Sequence, residues 1–177
     1  NSLALIQAML RMQLSSLSDG TARNALVGAL SRIQAIVEIQ RIIEHADLNT
    51  RIDIGQIVGS ICDKLDHINR AHVVASADKI EISEDLITPV ALIVSELVTN
   101  AQKHAYGPED GGVIVVSARR RPNGIELCVR DDGFGIPEGF DPKASKGFGM
   151  RMLMQQISQL DATLEVERLS EGSRFTV

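Results

Sequence analysis

No apolar run in these 177 residues approaches the length needed to cross a bilayer. The N-terminus also lacks the basic start and cleavage site of a signal peptide. The only two cysteines, Cys62 and Cys128, do not form a metal-ligand spacing. Cys128 lies in an alternating apolar run and is expected to be a buried, reduced thiol, which points to a cytosolic compartment. There is no excess of positive charge: the formal net charge is −5, which argues against a general nucleic-acid binder. Repeats and low-complexity segments are absent. What remains is an ordinary soluble composition, 44% hydrophobic and 23% charged, long enough for one good domain and an appended helical piece. The abrupt ends, Asn1-Ser2-Leu3 within a helical pattern and Phe175-Thr176-Val177 within a strand pattern, suggest a piece of a larger protein.

Leu3, Ile6, Leu10, Leu14 and Leu17 form one stripe at helical spacing. Ser18-Asp19-Gly20-Thr21 reads as a turn, with Gly20 able to serve as the residue after a helix end. A second helical run follows to about His45. It carries two stripes: Ala22, Leu26, Leu30, Ile33 and Val37, and then Ala29, Ile36 and Ile43. Two stripes suggest burial on two sides, as in a helical hairpin that pairs with its own copy into a four-helix bundle. Packing on the rest of the chain would also satisfy them. Asp47 to Arg51 reads as a linker.

Beyond it the pattern is mixed: a helix over 53–66, strands at His72–Ala75 and Ile80–Ile82, and a long helix over 84–105. Val113–Arg119 and Ile125–Arg130 alternate, with Pro122-Asn123-Gly124 as a hairpin turn. A helix over 148–160 directs Met150, Leu153, Met154 and Ile157 inward. Strands at Thr163–Arg168 and Arg174–Val177 flank a turn at Gly172. The fold class is therefore α+β. A helical hairpin over 1–46 precedes an α/β sandwich over 51–177, with helices on one face of a mostly antiparallel mixed sheet.

Glu96, Asn100 and Lys103 fall within about a 60° sector of the long helix. This polar strip adjoins the apolar face of Leu86, Val90, Ile93, Leu97 and Ala101. A solvated helix face would give the same pattern, but the glycine motifs downstream favour a ligand. Asn100 offers a hard amide oxygen suited to Mg²⁺. Glu96 suits a general base, and Lys103 a point charge on phosphate. His104 is either a packed imidazole at the rim or a nucleotide contact. Asp131, followed by Gly133 and Gly135, can accept a hydrogen bond from an adenine amino group, where guanine presents a carbonyl. An ordinary turn is the alternative for Asp131-Asp132-Gly133, and Asp132 reads as a turn residue only. Gly147 and Gly149 open a helix whose N–H groups and dipole can meet phosphates. Residues 136–146, with two prolines, read as a mobile lid. Ser173 can add a hydroxyl near the base.

In this order Glu96-x-x-x-Asn100, Asp131-Asp132-Gly133-Phe134-Gly135 and Gly147-Phe148-Gly149 resemble the N, G1 and G2 boxes of the GHKL ATP-binding fold. The runs 93–101 and 137–142 resemble HisKA_2-type histidine kinases. Asn1-Ser2-Leu3 is similar to the tail of that family's phosphoacceptor box, roughly His-Arg-x-Lys-Asn-[Asn/Ser]-Leu. The related HWE group carries a Trp-x-Glu before the G1 box. This chain has no Trp, and Val129-Arg130-Asp131 stands there.

The resemblance implies a cofactor-binding set of Asn100, Lys103, His104, Asp131, Gly133, Gly135, Gly147, Gly149 and Ser173, with Glu96 catalytic and Asn100 also the metal ligand. It implies Mg²⁺ and ATP, and γ-phosphoryl transfer to a histidine and then to a response-regulator receiver aspartate. The two stripes of the second helix point to a homodimer formed through residues 3–45, and the cysteines to the cytoplasm, without contact of this segment to membrane, although a parent protein could be membrane-attached. The acceptor histidine would precede Asn1, so this chain is expected to bind ATP without labelling itself. A GHKL ATPase in which Glu96 activates water, or a non-catalytic regulatory module, are the alternative readings.

Overall fold

The computed structural model describes residues 20–44, 51–66, 71–107, 110–145 and 147–177. The helix expected over 3–17, the turn residues Ser18 and Asp19, most of the linker, and the ends of the expected hairpin domain lie outside them. Gly20 belongs to the first turn of helix α1 (Gly20–Glu44).

Then come β1 (Ile52–Asp53), α2 (Ile54–Asp66), β2 (His72–Ala77), β3 (Glu81–Ile82) and α3 (Glu84–His104). They are followed by β4 (Val113–Arg121), β5 (Gly124–Asp131), a 3₁₀ turn (Pro142–Ala144), α4 (Phe148–Gln159), β6 (Glu165–Arg168) and β7 (Ser173–Thr176).

The main sheet runs β2-β4-β5-β7-β6. Among the described residues only β2 and β4 pair in parallel, and α3 lies in the connection between them, as a parallel pair requires. The other pairings are antiparallel. A two-residue ladder joins β1 to β3, pairing Ile52 with Ile82. The sequence pattern does not announce β1, which is two residues long. The Asp53 carboxylate stabilises this corner: its Oδ1 accepts from Gly55 N at 3.1 Å, in the first turn of α2, and from Ile80 N at 3.0 Å.

Alternation sets the layers. Ile114, Val116 and Ala118 on β4 and Leu127 and Val129 on β5 face the helices and are buried, while Val113 and Val115 face out. The same period puts Cys128 on the outward face, where it is only half-buried. The buried thiol is Cys62, on the inner face of α2 with Ile54, Ile57, Val58, Ile61 and Leu65.

Helix α3 is built for its place. Glu84 and Asp85 stand in its first turn, and Lys103 and His104 in its last, both favourable to the helix dipole. Ile87, Ile93, Val94, Leu97 and Val98 are buried in the common core. On α4, Met150, Leu153 and Ile157 join that core, and Met154 packs at its margin.

Helix α1 docks by a face that the apolar stripes mark only in part. Gly28, Leu30, Ser31, Ala35, Glu38 and Ile39 are buried and Ile43 packs at the margin of the core, whereas Leu26, Ala29, Ile33 and Val37 are half-buried and Ile36 is exposed. Small residues let the helix come close, and two charged residues fasten it. Ser60 on α2 donates a short hydrogen bond to Glu38, and Arg32 pairs with Glu96 on α3. Among the described residues, no helix is long and apolar enough to cross a membrane.

Candidate functional site

The inward series on β5 runs Leu127, Val129, Asp131. A strand period of two therefore delivers the Asp131 carboxylate to the core side, at the strand end where the apolar layer stops. It is 3% exposed and fully engaged from one side. Asp131 Oδ1 accepts from Gly133 N at 3.1 Å and from Ser173 N at 3.2 Å. Oδ2 accepts from the Ser173 hydroxyl at 2.5 Å. Two lone pairs on each oxygen leave one acceptor position, on Oδ2.

Glycines make this corner possible. A Cβ on Gly133 would stand 2.0 Å from the Ala105 carbonyl oxygen. Gly172 has φ +80°, and a Cβ there would stand 1.9 Å from the Asp131 carbonyl oxygen.

Beside Asp131 opens a cavity of about 750 Å³. Of the residues singled out in the sequence, Glu96, Asn100, Lys103, His104, Asp131, Gly135, Gly147, Gly149 and Ser173 line it. Gly133 does not; it acts through its N–H on Asp131 and its close passage by Ala105. Asp132 holds structure together: its Oδ1 accepts from Val113 N at 2.9 Å and from the Tyr106 hydroxyl at 2.9 Å. Burial, and then the bond to Asp132, push the Tyr106 phenol upward.

Helix α4 begins at the cavity, capped by Gly147 without a side-chain hydrogen bond. Its first N–H groups are therefore available to an anion. Glu96 is 4% exposed, and its Oε2 accepts from Arg32 Nη1 at 3.0 Å. Arg32 also lies 5.0 Å above the Phe148 ring. Desolvation pushes the Lys103 ammonium down, with Glu96 opposing and Arg32 adding to the effect. The His104 imidazole is pushed down by partial desolvation and by Lys103. It is exposed rather than packed among the apolar residues of α3.

Among the described residues no group of three His, Cys, Asp or Glu side chains could hold a metal ion. A divalent cation at Asn100 would thus draw most of its oxygens from phosphates and water, which suits Mg²⁺.

The segment after Gly135 is less irregular than its prolines suggest. Asp141 Oδ1 accepts from Lys143 N at 2.8 Å and caps the 3₁₀ turn. Phe140 packs edge-on against Phe175, with centroids 6.3 Å apart. Sequence reasoning missed Arg32, Phe140 and Phe175. Arg32 gave no signal beyond being a lone cation in a helical pattern.

A two-layer α+β fold with this cavity at the strand ends is that of the GHKL histidine kinase domains. The chain belongs to the histidine kinase-like ATPase domain family, whose model matches residues 62–168, and a histidine kinase model, HisKA_2, matches residues 1–69. It is similar to the sensor histidine kinase PdtaS of Mycobacterium tuberculosis, with 29% identity over 175 residues, 93% of this chain and 34% of PdtaS. It is similar also to blue-light-activated histidine kinase 2 of Erythrobacter litoralis, with 28% identity over 98% of this chain and 52% of that kinase. The chain thus spans about a third and about half of these relatives. The histidine kinase domain of an Erythrobacter litoralis blue-light activated kinase superposes with a TM-score of 0.71 and 29% identity, covering 99% of this chain and 84% of that one.

Proposed function

We propose that this chain is the catalytic core of a two-component histidine kinase. It binds Mg-ATP and supports transfer of the γ-phosphoryl group to a histidine, and from there to an aspartate of a response-regulator receiver domain. The observation that carries the reading is Asp131: a buried carboxylate with one remaining acceptor position, in a cavity shared with Glu96, Asn100 and the N-terminus of α4. An adenine amino group satisfies that acceptor; a guanine carbonyl would face it acceptor to acceptor.

Asn100 would hold the magnesium ion, which neutralises phosphate charge when bound. Lys103 and the N–H groups at the start of α4 hold phosphate oxygens. Glu96 accepts the proton of the attacking imidazole once its contacts open. The cytoplasm, where ATP and receiver domains meet, is the proposed compartment. Residues 3–45 are proposed to pair two copies.

Calorimetry of Mg-ATP against Mg-GTP tests the adenine reading. ATP should bind at least about tenfold more tightly, the scale of one unmade buried hydrogen bond. Equal affinities would sink it.

A further inference from the structure

Arg32 belongs to α1, yet its guanidinium lines the same cavity as Asn100, Lys103 and Gly149. Three features hold it there. It pairs with Glu96 at 3.0 Å. It stacks at 5.0 Å over Phe148, in the first turn of α4. Gly28, one turn earlier on α1, clears its space: a Cβ there would stand 3.3 Å from both Arg32 Nη1 and Lys103 Nζ.

Glu96 is blocked from two sides in this arrangement. Its Oε2 lies under Arg32. Its Oε1 lies against the start of α4, so close that a Cβ on Gly149 would come within 1.6 Å. A general base must come within hydrogen-bond reach of the proton it takes. Here Glu96 can do so only after one of these contacts opens.

We propose that Arg32 is a ligand for the terminal phosphate of a bound nucleoside triphosphate, and that it reaches that phosphate by leaving its ion pair with Glu96. The proposal rests on the nucleotide reading above and extends the site to α1. A guanidinium carries five N–H donors in a planar fork, and Glu96 occupies only one nitrogen of Arg32. The fork matches a phosphate bidentately, and the phosphate brings more negative charge than a carboxylate. Exchange therefore follows binding and leaves Glu96 with a free oxygen. A diphosphate ends one phosphate short, so the pair stays intact with it. Binding of the full triphosphate and release of the base become one event.

The test is calorimetry of Mg-ATP and Mg-ADP on the 177-residue chain and on Arg32→Gln, Arg32→Lys, Glu96→Gln and the Arg32→Gln/Glu96→Gln double variant, with folding checked by circular dichroism. Arg32→Gln should weaken ATP about tenfold or more and leave ADP within about twofold, with Arg32→Lys between the two. Glu96→Gln removes the competitor, so ATP affinity should rise, and that gain should vanish in the double variant. Equal losses of ATP and ADP, or an ATP affinity unchanged or raised in Arg32→Gln, would overturn the proposal. So would a Glu96→Gln gain that persists without Arg32. If Arg32→Gln fails to fold, Glu96→Gln still decides: a chain whose ATP affinity does not rise refutes the exchange. Failure of the unmutated chain to bind either nucleotide would instead refute the nucleotide reading itself.

Discussion

Under the proposed function, Asp131 is the carboxylate that selects the base. Its three protein donors hold the carboxylate in place and leave one lone pair to the cavity. Asp131→Ala should weaken ATP binding by about tenfold or more and abolish discrimination against GTP, as read by calorimetry. Two glycines separate function from stability. The Cβ of Gly149→Ala would meet a carboxylate tip, which can turn away. Under the proposed function the variant should lose phosphoryl transfer, read in a chain extended to carry the acceptor histidine, while urea denaturation shows a cost of about 1 kcal/mol. Gly172→Ala would meet backbone at a left-handed φ, where nothing can yield. It should cost at least about 1–3 kcal/mol in the same assay. Cys62 gives a pH signature. Burial, then Asp63 and Asp66, raise its pKa from 9.0 to about 12. Its thiol is harder to ionise folded than unfolded. The stability this contributes is complete below pH 9 and is lost as pH rises from there toward 12. Cys62 should resist a thiol reagent at pH 8 until urea unfolds the chain.

At the scale of elements, α3 serves two layers. Ile93→Ala removes a side chain with 0% exposure and should cost about 2–5 kcal/mol in urea denaturation, whereas the half-exposed Val113→Ala should stay within about 0.5 kcal/mol. This helix was legible from sequence because its core face is apolar at regular spacing and its polar strip lies beside it. Asp131 was legible too, since strand alternation carries it inward. The same alternation, followed to its end, puts Cys128 outside. The docking face of α1 was only partly legible. Its buried residues are Gly28, Leu30, Ser31, Ala35, Glu38 and Ile39; of these only Leu30 and Ile39 are strongly hydrophobic, and only Leu30 lies on an expected stripe. Close approach and two polar links hold that face, and apolar periodicity does not register either. The β1–β3 ladder escaped for another reason: two residues carry no period.

At the scale of the molecule, docking on α2 and α3 occupies one side of α1 and leaves Ile36 exposed, with Leu26, Ala29, Ile33 and Val37 half-buried. That second side carries the proposed self-association. Light scattering should give about twice the 19.2 kDa of one chain, and Ile36→Asp should shift the population toward monomer. A 19.2 kDa species persisting at high concentration would remove the dimer.

The position of Glu96, Asn100 and Lys103 on the crossover helix also governs how this chain can vary in length. Each residue on a helix is turned about 100° from the last. One residue inserted within α3 would rotate everything beyond it, bringing core side chains into the cavity and the site residues toward the sheet. A shortened connection would in addition pull β2 and β4 out of their parallel register. The stretch from Ile136 to Ser145 has no such constraint, because among the described residues it pairs with no strand; it packs through Phe140 on Phe175 and through its 3₁₀ turn on α4. Relatives that differ in length should therefore gain and lose residues between Gly135 and Gly147 and keep the spacing from Glu96 to Lys103 unchanged.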